Sequence, residues 1–235
     1  LSLTTWRNLA LMALCLTAGI VDVIGFLELG HVFTANMTGN IVMLGMALGQ
    51  SQELAVLRAV IALLGFMAGN AVGAVLIREN ASKLFWPRDV TVMIAVECVL
   101  LLLFGILFYF TGTSGSMVYV LIALLSGAMG MQTTAARKLG IAGISTTVLT
   151  NNLTHVVEDS VSLGRRLLRR DRSKEAAVLN PDSTLRAVAI AVYLLGAVVT
   201  ALTFYMQWQF IIWVPSLLVV GVIALAFIRF HKAKM

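Results

Sequence analysis

Two short polar strings interrupt a chain that is otherwise strongly apolar: Thr38-Gly39-Asn40 and Thr150-Asn151-Asn152, 112 residues apart. Threonine and asparagine cap helices well, because their side-chain oxygens accept hydrogen bonds from the first unpaired N–H groups of a helix. If each string opens a helix inside a membrane, two helix N-termini lie at depth, each with roughly half a positive charge and several free N–H groups. Such ends favour an anionic or carboxylate-bearing ligand. The candidate substrate-binding residues are therefore Asn36, Thr38, Gly39 and Asn40, then Thr150, Asn151 and Asn152. Gln132, a further uncharged polar residue in an apolar run, joins them. The plainer alternative is that these side chains only cap and pack.

Asp22 and Glu97 also fall within apolar runs. A carboxyl group at membrane depth is costly enough to be a functional candidate, and either residue could carry a coupling proton. Against this, Asp22 could be hydrated near its helix end or bonded to a neighbouring helix, and Glu97 could snorkel or make a structural hydrogen bond. His155 shares a helical face with Glu158 and Asp159. With many arginines close by, an ion-paired surface group describes these three better than a metal site. The sequence contains no H-E-x-x-H, G-x-S-x-G or Cys/His metal spacing, and both cysteines, Cys15 and Cys98, lie in apolar stretches where a thiol behaves as a small hydrophobe. These features point away from an enzyme and call for no cofactor or metal.

The elements that must position these residues follow from composition. Of 235 residues, 60% are hydrophobic and 12% charged, about half the charge of an ordinary soluble domain. Apolar stretches recur near 8–27, 33–49, 55–77, 90–110, 117–136, 142–157, 187–206 and 210–228, several of them long enough to cross a hydrocarbon core of about 30 Å. The first runs to Phe26 without a small-residue cleavage pattern and is read as a retained helix. Segments two and six are the shortest, and they are the ones that hold the polar strings.

Basic residues decide whether those two segments cross. Lys and Arg near helix ends collect on the cytoplasmic side. If all eight segments cross, Arg78, Lys83, Arg88, Arg137 and Lys138 lie outside, which leaves 12 of the 17 basic residues inside. If segments two and six are re-entrant, only Arg58 lies outside and the other 16 lie inside. The expected fold is thus an all-α polytopic membrane protein with six spanning helices, two re-entrant or broken segments and both termini in the cytoplasm.

Three crossings per half turn the second half over, so residues 1–113 and 114–235 form an inverted-topology repeat. Interrupted helices at matching places in inverted repeats are the pattern of secondary transporters, whose sites lie near the bilayer midplane. The expected function is a secondary transporter or facilitator of a small polar, anionic solute, with proton coupling through Asp22 or Glu97, working by rocking one half against the other. Competing readings are a non-transporting membrane subunit, a channel and, with least support, an intramembrane enzyme. Arg165, Arg166, Arg169 and Arg170 suit anionic lipid at the inner surface better than nucleic acid. Gly65, Gly69 and Gly73, and again Gly45 with Gly49, read as helix-contact faces, and a homodimer is compatible with them. The four tryptophans read as interfacial anchors.

A family resemblance rests on the same residues. Ala18-Gly19-x-x-Asp22, Phe33-x-x-Asn36-Met37-Thr38-Gly39-Asn40, Gly130-x-Gln132, Arg137-x-Leu139-Gly140 and Thr146-Thr147-Val148-Leu149-Thr150 resemble the YoaK-like family of bacterial inner-membrane proteins, a domain of unknown function. The resemblance implies a bacterial inner membrane and supplies no activity. Members usually carry Asn after the glutamine and a Thr-Gly-Thr string in the second half. Here Thr133 and Thr150-Asn151-Asn152 stand in those places.

Overall fold

The computed structural model describes residues 2–50, 53–77, 85–139, 149–168 and 181–231. All regular structure among them is helical. The helices are α1 (Leu3–Glu28), α2 (Met37–Gly49), α3 (Glu53–Leu76), α4 (Arg88–Thr111), α5 (Met117–Lys138), α6 (Leu149–Leu168), α7 (Pro181–Tyr205) and α8 (Val214–Ala226). A 3-10 turn, Gln209–Trp213, leads into α8. With that turn counted into α8, six helices (α1, α3, α4, α5, α7 and α8) are long and apolar enough to cross a membrane. The chain is a multi-pass membrane protein built on the expected six.

The two remaining helices occupy segments two and six, but they differ from each other. α2 has 13 residues, a rise of only about 20 Å, and is apolar almost throughout. α6 has 20 residues and carries Leu153, Val157 and Val161 on one stripe beside a polar one. The expected start of segment six, residues 142–148, lies outside the described residues.

α1 packs on α7 and α8, α3 on α2 and α5, α4 on α5 and α8, and α6 on α7. Exchanging α1–α4 for α5–α8 in order leaves this set of neighbours unchanged. The two crossings α1/α7 and α3/α5 bring backbones together at glycines. A Cβ at Gly19 would strike the Tyr193 carbonyl, and one at Gly196 would lie 2.6 Å from the Leu16 carbonyl oxygen. Across α3/α5, Gly130 meets the Phe66 carbonyl and Gly69 the Gly127 carbonyl in the same way. Without a hydrophobic force between helices in lipid, such close approach supplies much of the association.

Gly65, Gly69 and Gly73 therefore face α5 as a contact surface, whereas Gly45 and Gly49 on α2 meet nothing within 4 Å. Among the described residues, α2 has no neighbour on that side. Trp86 also departs from an interfacial anchor: it is 4% exposed, stacks on Phe230 at 4.6 Å and donates to Thr91 Oγ1 at 2.9 Å.

Candidate functional site

The break before α2 is built from α1. After Leu29 the chain runs non-helically to Asn36, with Val32, Thr34 and Ala35 buried, so its backbone groups need partners within the protein. Asp22 of α1 meets that need. Its Oδ1 accepts from the N–H groups of Thr34 at 2.8 Å, Ala35 at 2.6 Å and Asn36 at 3.3 Å. Thr34 Oγ1 donates to the Val21 carbonyl at 3.2 Å, and Gly25 leaves room for the segment to press against α1, since a Cβ there would sit 2.6 Å from the Val32 carbonyl oxygen.

Asn40 closes the turn from the other side. Its Oδ1 accepts from the Phe33 N–H at 2.9 Å while its Nδ2 donates to the Phe33 carbonyl at 2.6 Å. The Phe33 ring lies over Gly39, where a Cβ would come within 2.8 Å of it, and stacks on Phe26 at 5.3 Å. The helix cap is Asn36, whose Oδ1 accepts from the Gly39 N–H at 3.3 Å. Thr38-Gly39-Asn40 thus forms the first turn of α2 and does not interrupt it.

The start of α2 opens on a cavity of about 470 Å³ that also receives the start of α6. Asn36 and Thr38 line it from one helix and Leu149 and Thr150 from the other. Asn70 and Phe66 of α3, Thr133 and Arg137 of α5 and Tyr193 of α7 complete the wall. Two helix N-termini and a guanidinium therefore face one space, and among the described residues no carboxylate lines it. Asp22 stands behind: its Oδ2 accepts the hydroxyl of Tyr193, so the tyrosine links the carboxylate to the cavity wall. Asn70 is held by two bonds, Nδ2 to the Phe66 carbonyl at 3.1 Å and Oδ1 from the Thr134 hydroxyl at 2.9 Å.

The family model described as Protein of unknown function (DUF1275) matches residues 10–225, which takes in every element of this cavity. The chain belongs to that family. It is 44% identical over 229 residues to the UPF0700 transmembrane protein YoaK of Bacillus subtilis (strain 168), covering 97% of this chain and 98% of that one. No solved structure matches. Membership thus bears out the resemblance read from the Asn-Met-Thr-Gly-Asn string and its companions.

Of the residues singled out from the sequence, Asn36, Thr38 and Thr150 meet at the cavity. Asn40 and Gly39 shape the turn behind it. Gln132 is buried and its Nε2 donates to the Leu14 carbonyl at 3.0 Å, tying α5 to α1 away from the lining. Asn151 is exposed and Asn152 fully buried, and neither lines the cavity. Glu97 lies apart as well, buried in α4 with neither carboxyl oxygen hydrogen-bonded among the described residues. His155 Nδ1 sits 3.5 Å from Glu158 Oε2 in an exposed pair. Arg165 is exposed near the end of α6. Arg169, Arg170 and the side chain of Arg166 lie outside the described residues.

Tyr193, Phe66 and Arg137 belong to the wall without having been candidates. Tyr193 did carry a signal, being a phenol in the middle of the apolar run 187–206 and far from the interfacial ends where tyrosines collect. Arg137 appeared only in the family motif Arg137-x-Leu139-Gly140 and as a topological charge, neither of which pointed to a cavity.

Proposed function

We propose that this protein is a secondary transporter or facilitator that binds a small anionic solute in the cavity between the starts of α2 and α6. The observation that carries this reading is the convergence of two helix N-termini and Arg137 on one space. Partial positive charge at helix starts and a planar guanidinium together select an oxyanion over a cation or a neutral sugar. Thr38, Thr150, Asn36 and Asn70 add hydroxyl and amide groups that can fix its orientation. The solute contacts this chain with no chemistry done on it.

The unchanged set of neighbours on exchanging α1–α4 for α5–α8 supports an inverted repeat of 1–113 and 114–235. In the six-crossing arrangement, α2 starts at mid-membrane and returns to the outer face, while α6 returns to the inner one. The charge division supports a bacterial inner membrane with both termini in the cytoplasm. Asp22 is the group through which a proton could be coupled, because the Tyr193 hydroxyl connects it to the cavity in a single step. Glu97 has no such connection.

The test is the melting temperature of the purified protein against small carboxylates, phosphates, sugars and amines, since a ligand of the folded state raises apparent stability. One anionic class is expected to stabilise the parent, with the effect lost in Arg137→Gln and in the double variant Thr38→Val/Thr150→Val. Flux of that anion into vesicles holding the protein then follows. Stabilisation by a co-purifying chain, with no anion effective on the parent at any pH, would replace this reading by that of a membrane subunit.

A further inference from the structure

A second, larger cavity of about 680 Å³ lies between α2 and the first turns of α3. We propose that it binds an amphipathic oxyanion, a carboxylate or phosphate attached to a small apolar body, with Arg58 as its cationic anchor. This site is separate from the one between α2 and α6 and does not depend on what that cavity carries.

Arg58 is the anchor because of how it is held. Its guanidinium lies flat on Gly30, where any Cβ would collide with Nη1 and where φ is +86°, a conformation that glycine adopts freely. A guanidinium has five N–H donors. Here Nε is buried with no hydrogen-bond partner, and no carboxylate among the described residues pairs with the group. Glu53 lines the same cavity but is exposed and leaves Arg58 alone. His31 and Gln50 also reach the cavity, and Met43, Met46, Ala47 and Ala59 form its apolar side.

A half-buried cation without a counter-ion is costly, and an oxyanion is the partner that satisfies its fork of donors. The apolar side next to it sets the rest of the ligand. Arg58 is also the one basic residue in the six-crossing arrangement that falls on the face where Lys and Arg are otherwise absent. Topology gives it no reason to be there. The same chemistry is offered by a free amphipathic carboxylate and by the phosphate of a lipid head group.

Two arms separate these sources. In the first, hexanoate is titrated against the protein in a non-ionic detergent, with hexylamine as the charge-reversed control, and the melting temperature is followed. In the second, nanodiscs of phosphatidylglycerol are compared with nanodiscs of phosphatidylcholine. Parent protein is expected to respond to hexanoate and not to hexylamine, or to gain stability in phosphatidylglycerol. Arg58→Gln is expected to weaken the hexanoate response by about tenfold or more, or to erase the lipid difference. Arg137→Gln is expected to retain either response. If Arg58→Gln cannot be purified, Arg58→Lys serves in its place, with a smaller loss because a point charge replaces the planar fork. Parent and Arg58 variants that respond alike in both arms would overturn the proposal. So would a hexanoate response that Arg137→Gln removes and Arg58→Gln leaves intact, an outcome that places the anion in the other cavity.

Discussion

Asp22 and Glu97 are both carboxyl residues buried in membrane-spanning helices, at 2% and 0% exposure, yet their surroundings are opposite. Asp22 accepts four hydrogen bonds, three from consecutive backbone N–H groups and one from Tyr193. Glu97 accepts none. Depth alone therefore does not assign a role to an acidic residue in a membrane. What matters is whether the surrounding chain depends on it, and for Asp22 a whole non-helical segment does.

The sharpest way to break this comparison is to remove each side chain. Asp22→Ala leaves the buried N–H groups of Thr34 and Ala35, the part-buried one of Asn36 and a tyrosine hydroxyl without their acceptor, a buried orphan costing about 1 to 3 kcal/mol. It is expected to be the most damaging substitution, costing about 3 kcal/mol or more, read as a large fall in melting temperature or loss of folded protein. A variant as stable as the parent would show that the segment before α2 does not rely on α1. Asn40→Ala is expected next, at about 2 kcal/mol, because its side chain holds both the N–H and the C=O of Phe33. Tyr193→Phe removes one donor and keeps the ring, so about 1 kcal/mol is expected. Its informative readout is solute binding, which should change if the tyrosine connects Asp22 to the cavity. The smallest effect belongs to Glu97→Leu. Replacing a polar group that has no partner by an apolar one of similar size is close to neutral or stabilising, and a rise in melting temperature would sharpen the contrast. A fall of more than about 2 kcal/mol would mean that Glu97 is partnered after all.

How much of this was legible beforehand can be followed through particular residues. The six crossings were, because hydropathy and the placement of 17 basic residues are properties of the chain itself. That segment two is broken was also legible, from the polar string within it, while the break expected at the start of segment six falls on residues outside the described ones. The location of the first break was not. Thr38 and Asn40 are good caps by type, but the cap is Asn36, fixed by an aspartate 14 residues earlier and by the reach of Asn40 back to Phe33. Local propensity cannot see a partner on another helix. Tyr193 shows the limit more clearly, since the residue it bonds is 171 positions away. For Arg137 topology was a sufficient explanation of its charge, and its place in the cavity wall could not be read from it.

The glycine crossings have a consequence for how the molecule can move. Gly19 and Gly196 lock α1 to α7, and Gly69 and Gly130 lock α3 to α5, so each lock joins one helix from residues 1–113 to one from 114–235. The halves of the sequence are thus not packed as separate bodies. Rocking one against the other would pull both locks open and expose backbone carbonyls to lipid. The closely packed pairs are instead composite, α1 with α7 in one and α3 with α5 in the other. Cutting the chain at 113 would leave two fragments that share each pair, neither able to assemble one alone.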